Sequence, residues 1–286
     1  MAQRVKITTT ATPGEIELAF EDTGTGLPVL LVHGFPLDRT MWKAQREELC
    51  DEFRVIVPDL RGFGESQVIP GVATMEAMAD DLAGLCNHLG LTGKIVLGGL
   101  SMGGYVAFAF ARKYRDRLAG LILCDTRARP DSPEAKENRR RVAERVRREG
   151  PGFIAEEMIP RLCCESTFRN HPEVIEKIRQ MILSAPPEGV AAAALGMAER
   201  PDSTDLLPAL SCPTLVLVGQ FDAISPPEEM EAMARTIPQS QFVVIPDAGH
   251  LPPMEQPERV TQAIREWLRK VHTEAGGSLE HHHHHH

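Results

Sequence analysis

Short apolar runs bounded by turn residues recur along this chain and alternate with longer segments whose apolar positions fall at helical spacing. Arg4–Thr10 and Glu15–Phe20 read as opening strands, followed by Val29–Val32 and Arg54–Val57. Ile95–Leu97 has the composition of a strand covered on both faces, and Leu121–Cys124, Thr214–Val218 and Gln241–Ile245 read as further strands. Met75–Leu89 follows the capping residue Thr74 and reads as a helix, and Tyr105–Ala111 is apolar on nearly every side, as a core helix would be. This β-α alternation predicts an α/β fold, with a mostly parallel eight-stranded sheet and helices on both faces. Between residues 127 and 201 the alternation stops, and four helical pieces take over: Pro133–Arg148, Gly152–Leu162, Pro172–Leu183 and Gly189–Glu199. The first opens with Asp131-Ser132-Pro133-Glu134, good capping chemistry. The expected plan is a core of residues 1–126 and 202–274, a helical insertion of residues 127–201 after the sixth strand, and a linker and hexahistidine tag over residues 275–286, outside the fold.

The chemistry concentrates where strands end. Gly99-Leu100-Ser101-Met102-Gly103 joins the Ile95 strand to the following helix and reads as a serine thrust outward on a sharp turn, with Gly99 and Gly103 removing Cβ atoms that would collide. Val29–Val32 runs into His33-Gly34-Phe35-Pro36, a loop at the same sheet edge whose amides would face a reacting carbonyl oxygen. The amides of Met102 and Phe35 are the expected oxyanion donors, while His33 itself reads as a loop-shaping residue.

A serine hydroxyl needs a base, and the base needs a third group to hold its tautomer. Six of the 11 histidines lie in the terminal tag. Of the others, His88 and His272 fall on helices and read as solvated, and His171 beside Pro172 reads as a helix start. His250 follows the strand-like Gln241–Ile245 in a turn-rich loop and is the expected general base. Two acids compete to orient it. Asp222 follows Thr214–Gly219 in a loose setting suited to a reaching carboxylate and is the first choice; Asp125, directly after Leu121–Cys124, fits the same nucleophile–acid–base order. Asp247 lies too close in sequence to His250.

These motifs together resemble the α/β-hydrolase superfamily, close to small carboxylesterases, enol-lactonases and cofactor-free perhydrolases. The matching stretches, in order, are His33–Pro36, Asp59-Leu60-Arg61-Gly62-Phe63-Gly64-Glu65-Ser66, Gly99–Gly104, Gly219–Asp222 and Gly249-His250, spanning nearly the whole chain. The resemblance implies an α/β-hydrolase sheet with a helical cap after strand 6, and Ser101, His250 and Asp222 as the catalytic set. It implies hydrolysis of a small ester or lactone through an acyl-enzyme, without a metal or organic cofactor. The Asp59–Ser66 loop would be a structural turn bordering the site. Gln220 is a departure, since similar sequences often carry a charged residue there. Carbon–carbon bond hydrolysis, perhydrolysis or a lyase reaction would use the same residues, and a non-enzymatic ligand receptor is a further alternative.

Composition narrows the picture. At 286 residues, 42% hydrophobic and 25% charged, the chain suits one large core with a modest insertion, and its net charge of −9 argues against nucleic acid. No run reaches the roughly 18 consecutive apolar residues of a membrane span. Met1–Lys6 lacks a secretory apolar stretch, so a cytoplasmic protein, monomer or homodimer, is expected. The six cysteines are scattered without metal or disulfide spacing and read as small core residues, with no function assigned to the neighbours Cys163 and Cys164. The basic residues of Pro133–Arg148 are interspersed with Glu134, Glu137 and Glu144 and read as a solvated face rather than a steering patch.

Overall fold

Continuous apolar runs become the central strands because only positions buried on both faces tolerate them. The computed structural model describes the backbone of residues 2–284 and the side-chain surroundings of residues 2–273. An antiparallel pair, β1 (Gln3–Thr8) and β2 (Glu15–Thr23), opens the chain, followed by β3 (Pro28–Val32), α1 (Lys43–Leu49), β4 (Arg54–Pro58), α2 (Met75–His88) and β5 (Ile95–Leu100). Then come α3 (Met102–Tyr114) and β6 (Leu118–Cys124); the insertion helices α4 (Pro133–Glu149), α5 (Gly152–Leu162), α6 (Glu165–Asn170), α7 (Pro172–Ser184) and α8 (Pro187–Glu199) follow. The chain closes with β7 (Thr214–Gly219), α9 (Pro227–Thr236), β8 (Ser240–Ile245), α10 (Pro252–Glu255) and α11 (Pro257–His284). Residues 275–284 of the expected linker and tag carry on α11, and residues 285 and 286 lie outside the described residues.

The sheet order is β1-β2-β4-β3-β5-β6-β7-β8, parallel from β4 to β8. Every residue of β5 and of β7 is buried. α1 and α11 pack together and onto β4, β6 and β8, while α2 and α3 pack together and onto β1, β5 and β6. The strand order reverses at β3, whose neighbours are β4 and β5, the kind of position beside which ligands bind in open α/β sheets.

The expected helices are present with two differences. α8 starts at Pro187 rather than Gly189, because a proline at the first helical position gives up only an N–H that had no intrahelical partner. α6, six residues with no side-chain cap, carries too short an apolar pattern to be seen in advance. The two ends of the insertion are stitched by the buried pair Arg200–Asp131 (2.7 Å), and the Arg200 guanidinium lies 3.8 Å from the Tyr105 ring centroid on α3. On α4, Arg139, Arg140, Arg145 and Arg147 pair with Asp131, Glu137, Glu149 and Glu188 respectively. All six cysteines are free thiols, with Cys86, Cys124, Cys163 and Cys164 buried. Among the described residues no single helix is long and apolar enough to cross a membrane; the pair α7 and α8 reaches that length and composition only together, across a 95° bend.

Candidate active site

Parallel strands deliver their carboxyl ends to one edge of the sheet, and four candidate residues follow four adjacent strands there: Ser101 after β5, Asp125 after β6, Asp222 after β7 and His250 after β8. Ser101 sits at φ 54°, ψ −111°, outside the regions an L-residue prefers. Strain of this kind persists only where the surroundings over-determine it. Here the Ser101 N–H donates to Cys124 O (2.9 Å) and the Thr126 hydroxyl donates to Ser101 O (2.8 Å), pinning the turn to the neighbouring strand.

The glycines of the turn are required by contact. A Cβ on Gly99 would lie 2.1 Å from Gly103 O, and one on Gly103 would lie 2.4 Å from Val32 O. Both obstacles are backbone, so neither can rotate away. Gly99→Ala is therefore expected to destabilise the fold by about 3 kcal/mol, at the upper end of overpacking costs. Urea unfolding checks this, and a wild-type midpoint would mean that the turn opens freely.

Met102 is the first residue of α3, so its N–H is one of the four that a helix leaves without an internal acceptor. The β3 loop passes directly beside it: a Cβ on Gly34 would come within 3.5 Å of Ser101 Cβ. Phe35, next in that loop, is partly buried against Phe63. His33 has both ring nitrogens engaged by backbone: Nδ1 donates to Gly34 O (2.9 Å), and Nε2 accepts from Leu60 N (3.0 Å). Burial holds its pKa below the usual histidine value despite Asp59 nearby, which fits a neutral, structural ring. The Asp59–Ser66 loop supports it from below, with the buried Asp59 carboxylate accepting from the amides of Arg39 and Glu65 and pairing with the Arg39 guanidinium.

His250 is almost wholly buried, and its Nδ1 lies 2.9 Å from Asp222 Oδ2. The other oxygen, Oδ1, accepts from Ile224 N (2.8 Å) and Ser225 N (2.9 Å). Burial alone would raise the Asp222 pKa, but the neighbouring His250, by its charge and its hydrogen bond, and the Ser225 amide together bring it below the usual carboxylate range. Asp125 is the opposite case. Burial first, and then the charge of Asp222, push its pKa well above that range, which favours the neutral acid. Its Oδ2 accepts from Gly219 N (3.0 Å), at a backbone φ of 46°. Of the two acids that compete in the sequence, Asp222 is the one bonded to His250, and Asp125 stands behind it. The ligand-type atoms of Asp125, Asp222 and His250 lie within 4.8 Å of one another, close enough to hold a metal ion, but His250 is committed to Asp222 by a hydrogen bond and Asp125 accepts from Gly219 N.

Two residues that bear on the site escape sequence reasoning. Thr126 fixes the serine turn, and Glu255 is buried beneath the His250 loop. Their partners are remote in sequence, and the only local signal for Glu255 is an acid amid the apolar Pro252–Met254.

Comparison with known proteins agrees with this architecture. A family model described as the alpha/beta hydrolase fold matches residues 28–257. The AB hydrolase superfamily protein YisY of Bacillus subtilis is 29% identical over 265 residues, 90% of this chain and 97% of that one. 3-Oxoadipate enol-lactonase 2 of Acinetobacter baylyi is 26% identical, with 81% of this chain and 84% of that one covered. The crystal structure of the enol-lactonase from Burkholderia xenovorans LB400 superposes with a TM-score of 0.83 at 29% identity, covering 89% of this chain and 97% of that one.

Proposed function

This chain belongs to the alpha/beta hydrolase family, and from that membership we propose that it is a serine hydrolase cleaving carboxylic ester or lactone bonds of small substrates. The observation that carries the reading is the buried His250–Asp222 pair, 2.9 Å apart, at the same sheet edge as a serine held at φ 54°. Enol-lactonases among the relatives support the substrate class.

With Nδ1 committed to Asp222, His250 keeps Nε2 for proton transfer. Nε2 takes the Ser101 hydroxyl proton as Oγ attacks the carbonyl carbon, and Asp222 stabilises the imidazolium that forms. The tetrahedral oxyanion is received by the amides of Met102 and Phe35, each contributing about 3 kcal/mol to the transition state. The alkoxide leaves with the proton from His250, and water repeats the sequence to release the acid. Residues 127–201 act as a cap that roofs the site and shapes substrate choice. None of these steps calls on a cofactor.

The test is hydrolysis of p-nitrophenyl esters from acetate to octanoate and of small lactones, with intact-mass analysis after treatment with diethyl p-nitrophenyl phosphate. Saturable turnover and a single adduct on Ser101 are expected, and the preferred chain length sizes the pocket. Neither turnover nor adduct would sink the reading. Turnover confined to diketones or cyanohydrins would move the chain to carbon–carbon chemistry, and ligand binding without turnover would make it a receptor.

A further inference from the structure

Glu255 is a buried carboxylate that the acyl transfer does not use. It ends α10, five residues after His250, and is 2% exposed. Four donors converge on its two oxygens. Oε2 accepts from Gly249 N (2.9 Å) and Leu251 N (3.0 Å), the amides on either side of His250. Oε1 accepts from Cys164 N (2.8 Å) and the Thr167 hydroxyl (2.8 Å), both from the helical insertion. The amide between them, His250 N, donates to Leu162 O (2.9 Å), again in the insertion. All three successive amides of the histidine loop are thereby fixed. Contact reinforces the junction, because a Cβ on Gly249 would lie 2.8 Å from Cys164 N and 2.9 Å from Cys163 C.

We propose that Glu255 is a positioning residue that clasps the His250 loop to the cap, so that one carboxylate sets both the aim of the imidazole and the seating of the roof. The inference rests on the serine hydrolase reading. Four N–H and O–H donors on two oxygens call for an ionised carboxylate, since the isosteric amide would turn its own N–H groups toward at least one donor. Burial raises the Glu255 pKa above the usual carboxylate value even with these donors in place, so the ion is held there at a desolvation cost. Such a cost is better explained by a fixed arrangement than by stability alone. The two halves of the clasp are separable: Oε2 serves the catalytic loop, and Oε1 serves the cap.

Glu255→Gln and Thr167→Val in the full chain test it, each first checked by circular dichroism and a thermal melt. Two readouts follow: the rate at which diethyl p-nitrophenyl phosphate labels Ser101, and kcat and KM on the preferred p-nitrophenyl ester. Glu255→Gln should slow both labelling and kcat by about 10- to 100-fold, the usual effect of losing a group that orients a functional ligand. Thr167→Val should raise KM by about three- to tenfold, the equivalent of one hydrogen bond, with a smaller fall in kcat. A folded Glu255→Gln that labels within about twofold of wild type overturns the clasp. Should that variant fail to fold, Thr167→Val decides, and an unchanged KM overturns it. A wild-type protein that is itself neither labelled nor active overturns the hydrolase reading and the clasp's role in catalysis with it, an outcome distinct from failure of the clasp alone.

Discussion

Ser101→Ala should lower kcat/KM for ester hydrolysis by about 10⁵- to 10⁶-fold while leaving the fold intact. Under the proposed mechanism the size follows from removing a nucleophile that acts as a unit with its base, and what survives comes from the oxyanion amides and substrate binding. The fold survives because the ties that hold the turn, Ser101 N to Cys124 O and the Thr126 hydroxyl to Ser101 O, are made by the Ser101 backbone. Alanine keeps a Cβ at φ 54°, so the strain stays and the melting temperature should barely move. Ser101→Gly should be equally inactive yet more stable, by about 1 kcal/mol, because glycine occupies that φ without the steric cost. Steady-state kinetics and thermal melts of the two variants check both statements. More than about 1% residual activity in Ser101→Ala would remove the serine from the mechanism.

The second large effect separates the two acids. Asp222→Asn should lower kcat by about 10⁴-fold, because an amide beside Nδ1 favours the wrong imidazole tautomer and cannot stabilise the imidazolium. Asp125→Asn should stay within about threefold of wild type. Burial and the charge of Asp222 favour the neutral form of Asp125, and asparagine copies a neutral acid: its oxygen can accept from Gly219 N as the carboxyl does. The pH dependence of stability should differ in sign. The Asp222 pKa is lowered in the folded state, so its contribution is present above the ordinary carboxylate range and lost as pH falls through the folded value. The Asp125 pKa is raised, so its contribution is full below that range and is lost as pH climbs toward the folded value. Asp125→Asn should therefore flatten the loss of stability above the carboxylate range. Melts across pH and kcat for both variants provide the check, and a reversed order of activity would give the orienting role to Asp125.

Much of this was legible along the chain because it is local. Unbroken runs such as Ile95–Leu97 and Leu121–Cys124 mark strands buried on both faces, and the structure extends them only to Ile95–Leu100 and Leu118–Cys124. Gly99 and Gly103 around Ser101 announce a tight turn because the collisions these glycines avoid lie within five residues or at the end of the strand beside them. The capping of α2 by Thr74 and of α4 by Ser132 follows from side chains that reach amides three residues on. Less was legible where a residue's partner is remote. His33 reads as a loop residue, but its tautomer depends on Leu60 N, 27 positions away.

The sequence by itself determined the α/β alternation, the place of the helical insertion after β6, and a serine, a histidine and two acids at strand ends, since period, composition and turn chemistry act over a few residues. Only the tertiary structure decided which acid meets His250. Asp125 and Asp222 both follow buried strands; the sheet order puts β7 beside β8, and the loop after β7 lays its carboxylate on Nδ1 at 2.9 Å. It alone brought Glu255 to Cys164 and Thr167, 91 and 88 residues away, because pairing across such separations depends on where the sheet and insertion place the backbone, and no short-range pattern encodes that.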